Sequence, residues 1–483
     1  MEFIDREFEL EYLRNCYERS EAQLVVVYGR RRVGKTELIR EFARNRNHLF
    51  VSCDLSTEKE QLRQFSQQLH RFTGEEHLKE QPFTRWEPAL EHLFRSVDSQ
   101  RRLVIIDEFP YLCHSNKALP SILQKVWDAH HHHSDLFLVL CGSHLDFMRK
   151  EVLGVKSPLY GRRTGQVELD PMPPRSIPRF FPDYSPREWI TAFAVLGGVP
   201  AYLSRFDGDR SIEENIRSRV LSKNEFLFDE VRFLLMEEVQ TPNRYFSILA
   251  AIAAGHDRLR DIADHTGFER GHVSRYLAVL RELGIVRREI PVTEDETADT
   301  RSGRYRIADH FFRFWFRYVF PNRSLLEEGD LDYCMSARIL PDLDEFVHLA
   351  FLDVCADVLR LRNRAGELPF RFHRLGGWWF RDLEVDLVGR DLEGNTLLVD
   401  CAWGPGPVGK ERLEALLEVG EDFGEVATVR GKHHLVISRD GLTPEAESLV
   451  ATRSDLEFWG LSGLGLGREV IAAPVSPPTE SAA

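Results

Sequence analysis

Residues 29–36 read Gly-Arg-Arg-Arg-Val-Gly-Lys-Thr. They follow the apolar run Leu24-Val25-Val26-Val27-Tyr28 and lead into a helix-forming stretch. Glycine, four residues, then Gly-Lys-Thr is the P-loop spacing. A strand, a glycine turn and a helix in that order aim backbone N–H groups and a helix N-terminus at phosphates. Gly29, Arg30, Arg31, Arg32, Val33 and Gly34 would form the cradle, with Glu37 closing the binding segment. Lys35 would reach the β- and γ-phosphates, and Thr36 would offer its hydroxyl to Mg²⁺. An ordinary strand–turn–helix corner gives no reason for a lysine inside the glycine turn.

A second group lies downstream. Leu103-Val104-Ile105-Ile106 ends in Asp107-Glu108. An unbroken apolar run suits a parallel strand buried on both faces, and ligands bind at the carboxyl ends of such strands. Asp107 would hold Mg²⁺, directly or through water, and Glu108 would polarise the attacking water. A lone strand-end acid is often only a helix cap; a pair beside a P-loop favours hydrolysis. The next apolar run, Leu136 to Cys141, ends in Gly142-Ser143. Ser143 either senses the γ-phosphate or caps the helix that follows. Arg162 and Arg163, in Tyr160-Gly161-Arg162-Arg163-Thr164-Gly165, either stabilise transition-state charge, in cis or across a subunit boundary, or are solvated.

These groups need elements to position them, and the chain is long enough for several domains: 483 residues, 43% of them hydrophobic. A net charge of −14 argues against bulk nucleic acid or an anionic membrane as the main partner. Arginines far outnumber lysines, 53 to 10, a bias that carries no functional reading. The cysteines at 16, 53, 113, 141, 334, 355 and 401 contain no CxxC pair, which suits a reducing cytoplasm rather than a disulfide framework. The N-terminus, Met1-Glu2-Phe3-Ile4-Asp5-Arg6, does not read as a signal, and no run approaches the roughly 18 apolar residues of a membrane helix. His130 to His133 fall at a predicted helix end; consecutive residues share no face there, so a metal site is not expected.

The expected order is a P-loop core over 1–170, a helical lid over 171–240, a winged helix over 241–325, a nuclease-like α/β domain over 335–470 and a disordered tail over 471–483. Phe3 to Glu7, one helix upstream of the P-loop strand, could close over a nucleotide base. Within 245–309 the pattern is helix, short helix, the Thr266-Gly267 turn, an amphipathic helix carrying Val273, Tyr276, Leu277 and Leu280, then two strands. Arg270, His272, Ser274, Arg275 and Arg281 on the third helix could meet DNA. The module is nonetheless near neutral, with ten arginines and eleven acids over 245–310. The acidic wing tip Glu294-Asp295-Glu296 has the wrong sign for phosphate, so a packing module is the alternative. Asp309 to Phe320 is strongly aromatic: a core helix, or, if exposed, a partner surface.

The C-terminal part presents a helix with Glu345, a strand at Phe370 to His373, the strand Leu383 to Val388 with Asp386, a turn, the strand Thr396 to Ala402 with Asp400, and a helix from Lys410. That is the layout of the PD-(D/E)xK nuclease core. Asp386, Asp400 and Glu345 would be its metal ligands. Alanine stands at 402 where the lysine belongs, and Lys410 could supply the missing ammonium. Cleavage chemistry is therefore not expected.

Together Phe3 to Glu7, Tyr28 to Thr36, Ile106 to Phe109, Cys141-Gly142-Ser143, Tyr160 to Arg163, Gly197-Gly198-Val199-Pro200-Ala201-Tyr202 and Gly376-Gly377-Trp378-Trp379 carry a family likeness. The chain resembles the archaeal-type ATPases of the AAA+ and STAND-related group with a nuclease-like C-terminal domain. The resemblance implies a multidomain α/β fold: an AAA+-like parallel sheet with a helical lid, a winged helix, and a restriction-endonuclease-like domain. It implies ATP and Mg²⁺ at Lys35, Thr36, Asp107 and Glu108, and a lysine at 402 that this chain lacks. The expectation is an ATP-hydrolysing switch in the cytoplasm, with DNA, a second copy or another protein as partner. The alternatives are an ATP-controlled DNA-processing nuclease and an ATP-regulated DNA-binding regulator.

Overall fold

The computed structural model describes residues 3–94, 101–295 and 302–467. The expected disordered tail, and the end of the wing tip from Glu296, lie outside the described residues. Two compact units emerge: Met1–Met172 with Val199–Ala201, and Pro173–Gly198 with Tyr202–Ala483.

The first unit is built on five parallel strands: β1 (Gln23–Gly29), β2 (His48–Ser52), β3 (Leu103–Asp107), β4 (Phe137–Gly142) and β5 (Gly165–Leu169), in the order β2-β3-β4-β1-β5. Side chains alternate across the sheet. Val26, Ile106, Leu138 and Leu140 enter one core, and Val27, Ile105, Val139 and Cys141 the other. With both faces covered, every position must be apolar, which is why these strands read as unbroken runs. Register does the rest. Tyr28 lies beside Gly142, Ile106 beside Leu140 and Ser52 beside Asp107, so the strands end along one edge.

The second unit holds the helices of the expected lid segment, among them Pro186–Leu196 and Phe226–Glu238. Pro186–Leu196 packs on the long helix Leu343–Ala365 and on His310–Phe314. The winged helix comprises Pro242–Ala253, Leu259–Thr266 and Arg270–Glu282, then the antiparallel pair β6 (Val286–Glu289) and β7 (Arg304–Ile307). Gly267 ends the second helix at φ 71°, a left-handed turn that glycine adopts without a Cβ penalty. The aromatic segment is core: Phe311, Phe312, Phe314 and Trp315 are buried, and the Trp315 indole donates to the Phe228 carbonyl at 2.7 Å.

The C-terminal sheet runs β12-β11-β10-β9-β8, from β8 (Arg374–Phe380), β9 (Leu383–Arg390), β10 (Asn395–Ala402), β11 (Gly431–Ser438) and β12 (Leu456–Gly460). The strand expected over 370–373 begins at Arg374 instead and runs through Gly376-Gly377. Phe372 is held out of the sheet by Asn363, whose side chain bonds both its N–H (3.0 Å) and its carbonyl (2.9 Å).

The wing is docked onto this sheet. The Val292 N–H donates to the Gly377 carbonyl at 2.9 Å, and Val292 joins the C-terminal core. Arg304 pairs with Glu384 at 3.0 Å and covers the Trp379 ring. Beneath lies a half-buried ionic cluster. Asp353 of the long helix meets Arg287 of β6 at 2.8 Å and His310 at 3.3 Å. Burial pushes the Asp353 carboxyl up, but Arg287 and His310 overcome it and hold the group below its usual range. Removing one partner of a fully buried pair costs about 3–5 kcal/mol; here solvent reaches Arg287 and screens the charge left behind. Asp353→Asn should therefore destabilise the protein by about 1–3 kcal/mol at pH 7, read by denaturant unfolding. The folded-state pKa is depressed, so this stabilisation is present above the unfolded value and is lost as pH falls toward the folded one. The difference between variant and parent should then shrink below about pH 4.

Candidate functional site

The P-loop leaves β1 at Gly29. A Cβ there would overlap the Leu169 carbonyl oxygen of β5, so only glycine lets the two strands pair at this point. Gly34, at φ 95°, occupies the left-handed region just before helix Lys35–Ala43. Lys35 is buried, and its ammonium donates to the Arg30 carbonyl at 2.9 Å. Burial lowers its pKa, against the opposing pull of Glu108 and Asp107. Val33 is buried in the core, while Glu37 points outward and pairs with Arg40 at 3.1 Å.

Strand order brings the acids to the loop. The Thr36 hydroxyl donates to Asp107 Oδ2 at 2.8 Å. Both are hard oxygen donors, the type Mg²⁺ requires. Glu108 adopts φ 57°, a left-handed conformation uncommon for a side-chain-bearing residue. One oxygen of its carboxylate accepts from the Ser143 hydroxyl (2.8 Å) and the Ser143 N–H (3.2 Å). Ser143 thus holds Glu108; it does not cap the next helix, whose N-cap is His144.

The arginines divide. Arg31 bonds Tyr111 at 3.1 Å and His144 at 3.2 Å, tying the loop to the segments after β3 and β4. Arg30 is largely buried, and Arg32 takes φ 69° inside the loop. Arg162 is gripped by both carboxylate oxygens of Asp128, at 3.1 and 2.9 Å. Arg163 donates to the Leu153 carbonyl at 2.9 Å. From the N-terminal segment the Arg6 guanidinium reaches the carbonyls of Asp170 (2.5 Å) and Val33 (3.4 Å), bracing the P-loop backbone from behind. Pro200 of the Val199–Ala201 segment lies in van der Waals reach of a Cβ placed on Gly34.

The C-terminal acids meet different partners from those expected. Asp386 accepts from the Cys401 N–H at 2.8 Å. Burial, and then the Asp400 charge, pushes its pKa up to about 7. Asp400 is held by both arms of Arg412, at 2.7 and 3.0 Å. Glu345 is exposed; the residue of its helix that senses Asp400 and Arg412 is His348, one turn on. Among the described residues no three His, Cys, Asp or Glu side chains gather closely enough to hold a metal ion. The trio Asp386, Asp400 and Glu345 is thus not assembled. Lys410 does not replace the lost lysine: it pairs with Glu414 at 3.1 Å, and the cation on Asp400 is Arg412, two residues on. Arginine's planar fork matches a carboxylate in two places, so it satisfies Asp400 as a single lysine would not.

Comparison with known proteins gives three family matches. An ATPase domain predominantly from Archaea matches residues 3–206. An IclR helix-turn-helix domain matches 241–289, and archaeal and bacterial proteins of unknown function match 315–411. Uncharacterized protein MJECL04 of Methanocaldococcus jannaschii is 33% identical over 403 residues, which cover 83% of this chain and 87% of that protein. The chain belongs to the archaeal-type ATPases with a helix-turn-helix and this C-terminal domain. Uncharacterized ATP-binding protein MJ0423 of the same organism is 48% identical over 44 residues, 9% of this chain and 75% of that protein. Uncharacterized protein MJ0424 is 31% identical over 88 residues, 17% of this chain and 81% of that protein. Among the described residues of this archaeal-type ATPase, no helix is long and apolar enough to cross a membrane.

Sequence reading missed Arg6, Arg31 and Arg412 as positioning groups. Each acts on a group distant in sequence, and no spacing rule signals such a contact. Ser143→Ala should remove a hydrogen bond to a charged group, about 1.5–3 kcal/mol. ATP turnover should fall roughly 10- to 100-fold, with ATP affinity unchanged within about threefold. Single-turnover phosphate release beside calorimetric titration checks this; an unaltered turnover rate would leave Ser143 without a role.

Proposed function

We propose that this ATPase hydrolyses ATP at the P-loop and uses its nucleotide state to switch the winged helix and C-terminal sheet. The observation that carries the reading is the hydroxyl–carboxylate contact between Thr36 and Asp107 at 2.8 Å, with Glu108 next in sequence on Ser143. On binding, Lys35 exchanges the Arg30 carbonyl for phosphate oxygens. Thr36 and Asp107 would hold Mg²⁺, which would supply charge neutralisation on the phosphates. Glu108, held by Ser143 through one carboxylate oxygen, accepts on the other the proton of the attacking water as the water oxygen bonds to the γ-phosphorus and the bond to the β-phosphate oxygen breaks. Ser143 thereby fixes the orientation of the carboxylate that acts as base.

Three junctions in the chain, at 172/173, 198/199 and 201/202, join the two units covalently. Val199–Ala201 clusters with the P-loop unit while both its neighbours belong to the other, which favours it as the transmitting segment. Arg162 and Arg163 are candidates for stabilising transition-state charge, in cis or on a neighbouring copy's nucleotide, once released from Asp128 and the Leu153 carbonyl. DNA is assigned to the exposed face of Arg270–Glu282, which carries Arg270, His272, Ser274 and Arg275, because the wing is taken up by the C-terminal sheet. Asp400 bound by Arg412, with alanine at 402, favours a C-terminal domain used for binding rather than cleavage.

Lys35→Ala should abolish phosphate release. Glu108→Gln should bind ATP as tightly as the parent yet turn over at least about 100-fold more slowly, the general-base contribution. Normal hydrolysis by Lys35→Ala sinks the assignment of the site. Gel shifts in ATP and in ADP over a salt series test the DNA reading, which fails if no shift appears at low salt in either state.

A further inference from the structure

The second unit contains a cavity of about 650 Å³ between the wing strand β6, the long helix Leu343–Ala365, and strands β8 and β9. That volume is within the range of small-molecule sites and suits a nucleotide-sized ligand. Its wall carries six arginines and four carboxylates.

The charges are not evenly matched. Arg287 is taken by Asp353 and Glu289, and Arg306 by Glu289. Of the acids, Glu384 is held by Arg304 from outside the wall. Arg281 and Arg360 make no ion pair among the described residues, yet both line the cavity. Arg288 and Arg374 also line the wall, each already in contact with another group. Guanidinium groups thus reach the cavity from four elements: the third helix of the winged helix, β6, the long helix and β8. The two without an ion pair, Arg281 and Arg360, leave positive charge for an anion to meet. The guanidinium fork matches phosphate oxygens two at a time. Leu375 and Trp379 supply apolar wall beside them.

We propose that this cavity binds the phosphate monoester of a nucleotide, either free or at the 5′ end of a nucleic-acid strand. The site is separate from the P-loop and does not depend on ATP hydrolysis there. It gives the winged helix and the C-terminal sheet a shared ligand, with Arg281 contributed by one and Arg374 by the other.

The test is calorimetric titration of the full chain at low salt with three probes: thymidine 5′-monophosphate, the 5′-phosphorylated dinucleotide pTpT, and unphosphorylated TpT. Arg281→Gln with Arg360→Gln should weaken pTpT at least tenfold, and each single change about threefold. The salt dependence of pTpT binding should weaken in the double variant, because two charge contacts are lost. Affinity for ADP should stay at the parent value in the double variant, whereas Lys35→Ala should do the reverse, losing ADP and keeping pTpT. Monophosphate binding equal to pTpT supports a free nucleotide; tighter pTpT supports a strand end. The proposal is overturned if neither phosphorylated probe binds, if TpT binds as tightly as pTpT, or if a folded double variant, judged by an unchanged melting temperature, binds pTpT like the parent.

Discussion

One register decides the nucleotide site. β4 is inserted between β1 and β3, and all three strands run parallel with their carboxyl ends in line. That alignment sets the Thr36 hydroxyl at 2.8 Å from the Asp107 carboxylate, although 71 residues separate them in the chain. It also sets Ser143, just past β4, beside Glu108, just past β3. A sheet buried on both faces cannot slip by one residue without turning a core side chain into the wrong layer. The geometry of this candidate site is therefore fixed by apolar packing rather than by the polar groups themselves.

The same logic holds in the second unit with charge in place of apolar packing. Asp353 collects Arg287 from the wing and His310 from the aromatic helix, so wing, core helix and long helix share one half-buried ion cluster. Such a cluster is costly to break and specific in geometry, and it fixes how the winged helix meets the sheet. Docking the wing through Val292 and Arg304 leaves the third helix of the winged helix as its exposed face. The cavity lined by Arg281 and Arg374 lies within that junction. In the C-terminal sheet, Arg412 grips both carboxylate oxygens of Asp400.

Strand-forming runs in the P-loop unit were legible because a doubly covered sheet demands continuous hydrophobicity. The winged helix was legible because its helices alternate apolar and polar positions and Gly267 supplies the turn. Two readings failed for identifiable reasons. The Gly-Gly pair at 376–377 hid a strand whose glycines meet Val292 and Asp386 of neighbouring segments. Lys410 was named because lysine is the residue the nuclease layout lacks, whereas the cation that meets Asp400 is Arg412, through a bidentate fit.

The sequence by itself determined the local chemistry: a glycine turn after a buried strand, a lysine and a hydroxyl at a helix start, two acids at a strand end. These follow from short-range spacing, and spacing is what a sequence records. Only the tertiary structure decided which acid meets which partner, that Ser143 holds Glu108, that Arg6 braces the loop, and that six arginines share one cavity wall. Those outcomes depend on strand order and on packing between distant elements, where contacts cost no more for being far apart in the chain and leave no periodic trace in it.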